Sequence, residues 1–323
     1  MRVGIDLSMR GVAVQIPRDR LSIEAALAGG TDLADGQAED ETAWKMAAQV
    51  AAQVLESTRV PAREVGLLVY SGLRQGEEDW KAAPMIARVV GADRAVALAV
   101  RQTSNGGAIS MQMAVSHLMA EERTSTALVL TADSLGNDLS LRRQRGIGAT
   151  LIDAATAVLL SRGEGRLMIR SMASGGRSVQ EAALPAGDPL NRSNVIVGRA
   201  VEAMNPILRV SIERCVRDTV RAAFADAGLV RGDPRLSKVL LPRIERDALR
   251  PILPGALVEF GDAEVLHLPE TGHLFAGDLA ANLSCLLDDQ TLPPCAYALI
   301  LNIGVGFAVT CLVVQAGPGG QPS

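Results

Sequence analysis

Residues 126–133 read TALVLTAD and residues 297–302 read YALILN, two apolar runs of the kind that favours buried strands. Leu128 in the first run and Leu299 in the second are 171 positions apart. Leu68 and Leu240, in the earlier runs VGLLVYSG and KVLLPR, are 172 positions apart. A nearly constant offset between similar runs predicts an internal duplication.

Helical and strand patterns follow one another in the same order in both parts of the chain. The two series are predicted at residues 42–56, 65–72, 94–100, 106–120 and 126–133, and again at 206–227, 238–243, 263–268, 278–287 and 297–302. Alternating units of this kind favour largely parallel sheets covered by helices. We therefore predict an α/β fold with two halves, residues 1–165 and 166–323. We expect residues 162–205, which are rich in Gly, Ser and Pro, to form the joint and to cover the active site.

The composition excludes several classes of protein. The net charge is -4 without a long basic run, which argues against nucleic acid as a partner. The four cysteines show neither zinc-ligand spacing nor a disulfide framework, so we expect reduced thiols and no metal. Because the first residues also lack the apolar core of a signal peptide, we expect a cytoplasmic protein.

One uncharged stretch, residues 295–314, is long enough to span a bilayer. Asn302 and the glycine turn at residues 304–306 divide it into two β-branched runs. We therefore predict a pair of strands buried in a soluble sheet, and no membrane span.

The stretch RQTSNGGAIS, residues 101–110, places Ser104 between an apolar run and a predicted helix. Backbone N–H groups at the start of a helix can hold an oxyanion, and the helix dipole favours negative charge there. A serine still needs a neighbouring base to become a nucleophile. The residue types alone therefore leave two interpretations of Ser104 open, a nucleophile and a helix cap.

His273 is the strongest candidate for that base, because it stands in ETGHLFAGD, a glycine-bracketed turn from strand to helix. Asp278, five residues later, can orient the imidazole or can cap the helix that follows. The offset puts Ser104 and His273 at matching places in the two halves, so a pseudo-twofold axis would bring them into one crevice. The other two histidines, His117 and His267, lie in helix and strand patterns and are expected to be structural.

Eight stretches together carry a resemblance that covers nearly the whole chain. They are EDETAWKMA, EEDWKAAPMIARVVGA, RQTSNGGAISMQMA, LTADSL, DAATAVLLSR, LLPR, GHLFAGD and NIGVGFAVTC. The combination resembles the β-ketoacyl-ACP synthase III family of the thiolase fold, especially its polyketide-associated branch. The resemblance implies a thiolase-like five-layer α/β/α/β/α fold and a homodimer. It also implies an acyl-CoA or phosphopantetheinyl acyl carrier protein as substrate, with no further cofactor.

In that family a cysteine before an Asn-Gly or Ser-Gly pair receives the acyl group, and Ser104 stands in its place. The sequence is similar to a serine form of the family, whose Ser-His-Asp pattern falls on Ser104, His273 and Asp278. His273 replaces the family's usual asparagine, and Arg243 replaces its usual histidine. The residues that the resemblance places around the substrate are Asn105, Gly106, Arg243, Gly304 and Gly306.

These departures bear on the reaction. Arg243 cannot act as a base at neutral pH, and an acyl-serine is less electrophilic than a thioester. Both favour acyl transfer in polyketide or other secondary metabolism over formation of a carbon–carbon bond. Two alternatives stay open: starter-unit condensation with malonyl-ACP, in which Arg243 supplies positive charge, and a non-catalytic dimer partner. The run LRRQR, residues 141–145, is interpreted as a dock for an acidic carrier protein, a solvated charge run or a dimer contact.

Overall fold

A computed structural model describes residues 1–16, 42–72, 79–134, 143–144, 149–178, 206–269, 272–288 and 292–317. The strands are β1 (Leu7–Gln15), β2 (Val65–Ser71), β3 (Val96–Val100), β4 (Thr126–Asp133), β5 (Arg143–Gln144), β6 (Ala149–Thr150), β7 (Ala154–Arg162), β8 (Leu167–Gly176), β9 (Leu236–Leu240), β10 (Glu264–Leu266), β11 (Tyr297–Gly304) and β12 (Ala308–Ala316). The helices are α1 (Ala43–Thr58), α2 (Ala82–Val90), α3 (Gly106–Ala120), α4 (Pro206–Ala227), α5 (Arg246–Leu249), α6 (Pro254–Leu257) and α7 (Asp278–Asp288).

Ten of these strands lie side by side in the order β10-β9-β11-β12-β8-β1-β7-β4-β2-β3. The middle of the sheet lies between β8 and β1, which are joined through only two residue pairs. Outward from it, each half places its five strands in the same sequence: the first along the chain, then the fifth, fourth, second and third. On each side the outer three strands are parallel and the inner ones antiparallel. The predicted boundary between residues 165 and 166 falls between β7 and β8, and the division into two domains stays a prediction.

The apolar residues form three main clusters that define five layers. The central cluster joins α3 and α7 to residues from the strands of both halves. On one outer side α1 and α2 cover β2, β4 and β7, and on the other α4, α5 and α6 cover β9, β11 and β12. Because α3 and α7 pack against strands of both halves, their first turns lie in the interior, where they can position a site.

Several sequence predictions match the observed elements. The helix predicted at 106–120 is α3, with the same bounds, and the helix predicted from 206 ends before Gly228, whose φ of +69° suits a left-handed stop. The uncharged stretch 295–314 forms β11 and β12, paired antiparallel over eight residue pairs. Among the described residues, no helix has the length and hydropathy of a membrane span.

The expectation for residues 162–205 was wrong in part, because residues 167–176 form β8, at the middle of the strand order. The small residues of this segment are required by packing against α4. Ser171 Oγ donates to the Ala223 carbonyl at 2.6 Å, and a Cβ on Gly175 would overlap the Thr219 hydroxyl. The remainder of the predicted cover, residues 179–205, lies outside the described residues.

Candidate active site

Ser104 lies in the short 3-10 turn Thr103–Asn105, between the end of β3 and the start of α3. Its Oγ is 2.8 Å from His273 Nε2. Thr103, directly before it, has a φ of +45°, which is rare for a β-branched residue. The Thr103 hydroxyl donates to the Val305 carbonyl at 3.3 Å, so the turn that presents Ser104 is tied to the glycine turn after β11.

His273 and Asp278 form the second contact of the site. His273 Nδ1 is 2.7 Å from Asp278 Oδ2, and the two residues are only 3% and 1% exposed. Asp278 also accepts from the Leu274 amide at 2.8 Å and from the Arg243 amide at 2.9 Å. A carboxylate surrounded by donors requires the proton on His273 Nδ1, so Nε2 is left to accept the Ser104 proton. The bonds of Asp278 thus fit the role of imidazole orienter, and they reach residues outside its own helix.

The backbone of His273 is itself fixed against the first half of the chain. The Ile152 amide donates to the His273 carbonyl at 3.1 Å, and Leu151 pairs with His273 in a parallel bridge. This contact joins a residue after β6 to the turn before α7. It ties the turn that carries His273 to the half of the chain that also contains Ser104.

Two glycines allow the turns to approach one another. A Cβ on Gly107 would overlap the Ala276 carbonyl oxygen, in the turn between His273 and α7. A Cβ on Gly304 would lie 2.8 Å from Asn105 Cβ. At each glycine the added Cβ would lie closer to its neighbour than real Cβ atoms do. The close packing of the turns at the site therefore requires glycine at both positions.

Asn105 and Asn302 hold the turn Thr103–Asn105 in place through side-chain hydrogen bonds. The Asn105 amide donates to Gln102 Oε1 at 2.7 Å and to Thr310 Oγ1 at 3.0 Å, which makes it a structural tie to β12. Asn302 Nδ2 donates to the Ser104 carbonyl at 3.0 Å. This contact was not predicted from the sequence, although an asparagine inside the apolar run of β11 is a signal that could have indicated it.

Arg243 is brought to the site through its backbone. Its side chain is 5% exposed and runs along α7, where Nε donates to Asn282 Oδ1 at 3.0 Å and a terminal nitrogen lies 3.4 Å from Cys285 Sγ. The guanidinium contacts described here are with α7, and the placement of Arg243 around the substrate stays a prediction. Gly106 begins α3 and packs on Ser71, while Gly304 and Gly306 lie at the end of β11 and in the turn after it.

The expected symmetry of Ser104 and His273 was wrong in register. The turn Thr103–Asn105 before α3 corresponds to the turn Phe275–Gly277 before α7, because each turn directly precedes its helix. Ser104 therefore corresponds to Ala276, and His273 lies three residues earlier. The offset between the strands correctly predicted that the two turns meet. Which residue of one turn corresponds to which residue of the other is set by where the two helices begin.

The remaining candidates have structural surroundings. His267 Nε2 contacts the Ile244 carbonyl at 2.6 Å, and His117 lies within α3. Burial raises the pKa of the thiols of both Cys215 and Cys311, which disfavours their thiolates. Within the described ranges, no cluster of three potential metal ligands is found. Residues 141–142 and 145 of the LRRQR run lie outside the described residues.

The five layers and the mirrored strand order define a thiolase-like α/β protein. No family model matches the chain. One curated relative, β-ketoacyl-[acyl-carrier-protein] synthase III 2 of Lactiplantibacillus plantarum, is 26% identical over 132 residues, which are 41% of this chain and 36% of that protein.

Solved structures agree over almost the full length. ChlB3, described as an acyltransferase, has a TM-score of 0.78 and 23% identity, and the match covers 97% of this chain and 98% of that one. A glutamate-to-alanine variant of Xanthomonas campestris OleA has a TM-score of 0.73 and 17% identity over 98% and 99% of the two chains. A cysteine-to-serine variant of OleA with bound lauric acid and lauroyl-CoA has a TM-score of 0.72 and 16% identity over 96% and 98%. The fold of the described residues is thus thiolase-like.

Proposed function

We propose that the protein is an acyltransferase that takes an acyl group from a CoA or acyl carrier protein thioester onto Ser104 and passes it to a second acceptor. The observation that carries the proposal is the chain of contacts from Ser104 Oγ to His273 Nε2, at 2.8 Å, and from His273 Nδ1 to Asp278 Oδ2, at 2.7 Å. Nucleophile, base and orienter in this geometry are the arrangement that activates a serine.

In the first half-reaction His273 Nε2 takes the Ser104 proton while Oγ attacks the thioester carbonyl. The backbone N–H groups at the start of α3 stabilise the negative charge on the carbonyl oxygen. The carbon–sulfur bond then breaks, the thiol leaves with the proton from His273, and an oxygen ester remains on Ser104. In the second half-reaction His273 takes the proton of the acceptor, which attacks the ester carbonyl. The bond between the acyl carbon and Ser104 Oγ then breaks, His273 returns the proton to Oγ, and the acyl group leaves on the acceptor.

Transfer is favoured over condensation by the surroundings of Arg243. Decarboxylation of a malonyl group requires stabilisation of the negative charge that develops, and Arg243 is the cation that replaces the family's histidine. Its guanidinium is hydrogen-bonded to Asn282 and lies beside Cys285, along α7. An acyl-serine is also the less electrophilic partner for a carbanion.

The setting of the reaction is part of the proposal. The serine nucleophile resembles the starter-unit synthase of the daunorubicin and doxorubicin pathway, which supports a role in polyketide or other secondary metabolism. Acyl-CoA and acyl carrier proteins are cytoplasmic substrates. A homodimer is supported by the edge strand β3, where Val96 is 54% exposed and Leu98 37%, beside the exposed Met113 of α3.

Intact-protein mass spectrometry tests the proposal. The wild-type protein is incubated with acetyl, propionyl, malonyl and longer acyl thioesters of CoA and of a carrier protein, and the mass of each adduct is measured. We expect an adduct that peptide mapping places on Ser104 and that is absent from Ser104→Ala. An adduct that survives Ser104→Ala on any of the four cysteines would contradict the assignment, and a β-ketoacyl product would support condensation instead.

A further inference from the structure

Arg243 lies just after β9 and contacts three positions along α7. Its backbone amide donates to Asp278 Oδ2 at 2.9 Å, its Nε donates to Asn282 Oδ1 at 3.0 Å, and its terminal nitrogen lies 3.4 Å from Cys285 Sγ. Asp278, Asn282 and Cys285 are spaced four and three residues apart, so they lie on one face of the helix. Arg243 therefore contacts the same face of α7 that carries the Asp278 carboxylate.

Asn282 completes a closed loop of hydrogen bonds. Its Nδ2 donates to the Leu241 carbonyl at 3.0 Å while its Oδ1 accepts from Arg243 Nε. The segment from Leu241 to Arg243 thus contacts Asn282 from two directions. Because Asn282 is one turn after Asp278, the loop fixes both the rotation and the position of the first turn of α7 relative to β9.

The direction of the Arg243 side chain supports a role toward α7. Along a helix axis, Asn282 and Cys285 lie about 6 and 10 Å beyond Asp278. The guanidinium follows the helix toward these residues, and Arg243 is 5% exposed. Arg243 Nε is thus bonded to a side chain of α7, one turn beyond Asp278.

We infer that Arg243 is a positioning residue, which locks α7 to the end of β9 and thereby aims Asp278 at His273 Nδ1. It acts through Asp278 and not on the acyl group, so it serves every acyl donor alike. This inference rests on the proposed function, since it assigns a task to Arg243 within the same site.

The substitution Arg243→Gln removes the guanidinium fork and keeps the backbone amide, and Asn282→Ala removes its partner. Single-turnover acylation is measured with two thioesters that differ in charge, acetyl-CoA and malonyl-CoA. We expect each variant to lose at least about 10-fold with both donors, because a displaced catalytic group loses rate whatever the acyl chain. Arg243→Lys keeps the charge without the fork and should recover little. The matched control is Arg250→Gln, at an exposed arginine in the same segment.

A second readout is independent of acyl transfer. A proton shared between His273 Nδ1 and Asp278 should give a far-downfield ¹H NMR signal, identified by its loss in His273→Ala. We expect that signal to shift or broaden in Arg243→Gln and in Asn282→Ala and to persist in Arg250→Gln. Circular dichroism identifies any variant that fails to fold, in which case the remaining variants are used for the comparison.

The outcomes separate the two proposals. If no donor acylates the wild type, the proposed function fails, while the NMR signal still tests the position of Asp278. If Arg243→Gln loses malonyl transfer and keeps acetyl transfer, or if Arg243→Lys restores the rate while Asn282→Ala has no effect, Arg243 is a charge-binding residue and the inference is overturned. An unchanged NMR signal in both folded variants would overturn it as well.

Discussion

Thr103 and Phe275 are 172 positions apart and both have a left-handed backbone, with φ of +45° and +52°. Each is the first residue of a 3-10 turn that leads into one of the two central helices. The duplicated turn thus repeats an unfavourable conformation in both halves, next to Ser104 in one and two residues after His273 in the other. Such strain persists where the surrounding contacts determine the backbone, and it is concentrated at functional sites.

The strain at Thr103 leads to a first prediction. Thr103→Gly and Thr103→Val both remove the hydroxyl that donates to the Val305 carbonyl, so both should lower the acylation rate. Only glycine relieves the left-handed φ, so Thr103→Gly should be more stable than Thr103→Val by about 1–2 kcal/mol. Urea unfolding measures the difference. At an ordinary backbone position glycine is the less stable choice, so a reversed order would argue that Thr103 is not strained.

Asp278→Asn should damage the site whichever way the new amide is turned. If its NH₂ group faces His273 and Arg243, it meets two donors and forces the imidazole into the wrong tautomer. If it faces Leu274, it meets the donor amide that Asp278 Oδ1 now accepts. We expect acylation to fall by about 10³ to 10⁴, as an incorrect tautomer costs in serine triads.

The loss of a buried acceptor should also lower the free energy of unfolding in Asp278→Asn, by about 1–3 kcal/mol. Single-turnover kinetics and urea unfolding check the two effects. Asp262→Asn, at an exposed turn, is the matched control and should change neither. An Asp278→Asn variant that keeps the wild-type rate would show that the carboxylate does not orient His273.

The sequence predicted the elements better than it predicted the contacts between polar side chains. Apolar runs of constant offset located β4 and β11, because burial of a strand in a covered sheet leaves a continuous local signal. The proximity of Ser104 and His273 followed from residue type and from the offset between the halves, although the predicted register of the two residues was wrong. The contacts of Asn302 with Ser104 and of Arg243 with Asn282 were missed, since each joins residues that only the packed helices and sheets bring together.

A pH prediction concerns Asp233, which is buried at the turn between α4 and β9. Hydrogen bonds from the Arg235 side chain hold the pKa of Asp233 well below its usual range, although burial opposes this. The carboxylate therefore contributes stability above its unfolded pKa, near 4, and this contribution is lost as the pH falls toward the lower folded pKa. Asp233→Asn should remove that part of the dependence.

Urea unfolding of the wild type and of Asp233→Asn, measured from about pH 5 to pH 2, tests this. The wild type should be the more stable at pH 5, and the difference between the two proteins should shrink as the pH falls. The same comparison for Asp262→Asn should give a much smaller change. Parallel curves for the wild type and Asp233→Asn would show that the Arg235 pair does not contribute to acid sensitivity.

The last prediction separates His273 as base from His273 as a group that acts on the thioester. If Nε2 removes the Ser104 proton, His273→Ala should cost at least about 100-fold in acylation rate, the lower end of general-base contributions. In a Ser104→Cys background the same change should cost much less, because a thiol at the start of α3 has a lowered pKa and supplies its thiolate without proton removal in the transition state. The double-mutant cycle on single-turnover acylation should therefore be strongly non-additive. Equal losses in the two backgrounds would mean that His273 acts on the thioester or the acceptor, and the 2.8 Å contact between Ser104 and His273 would not be the proton path.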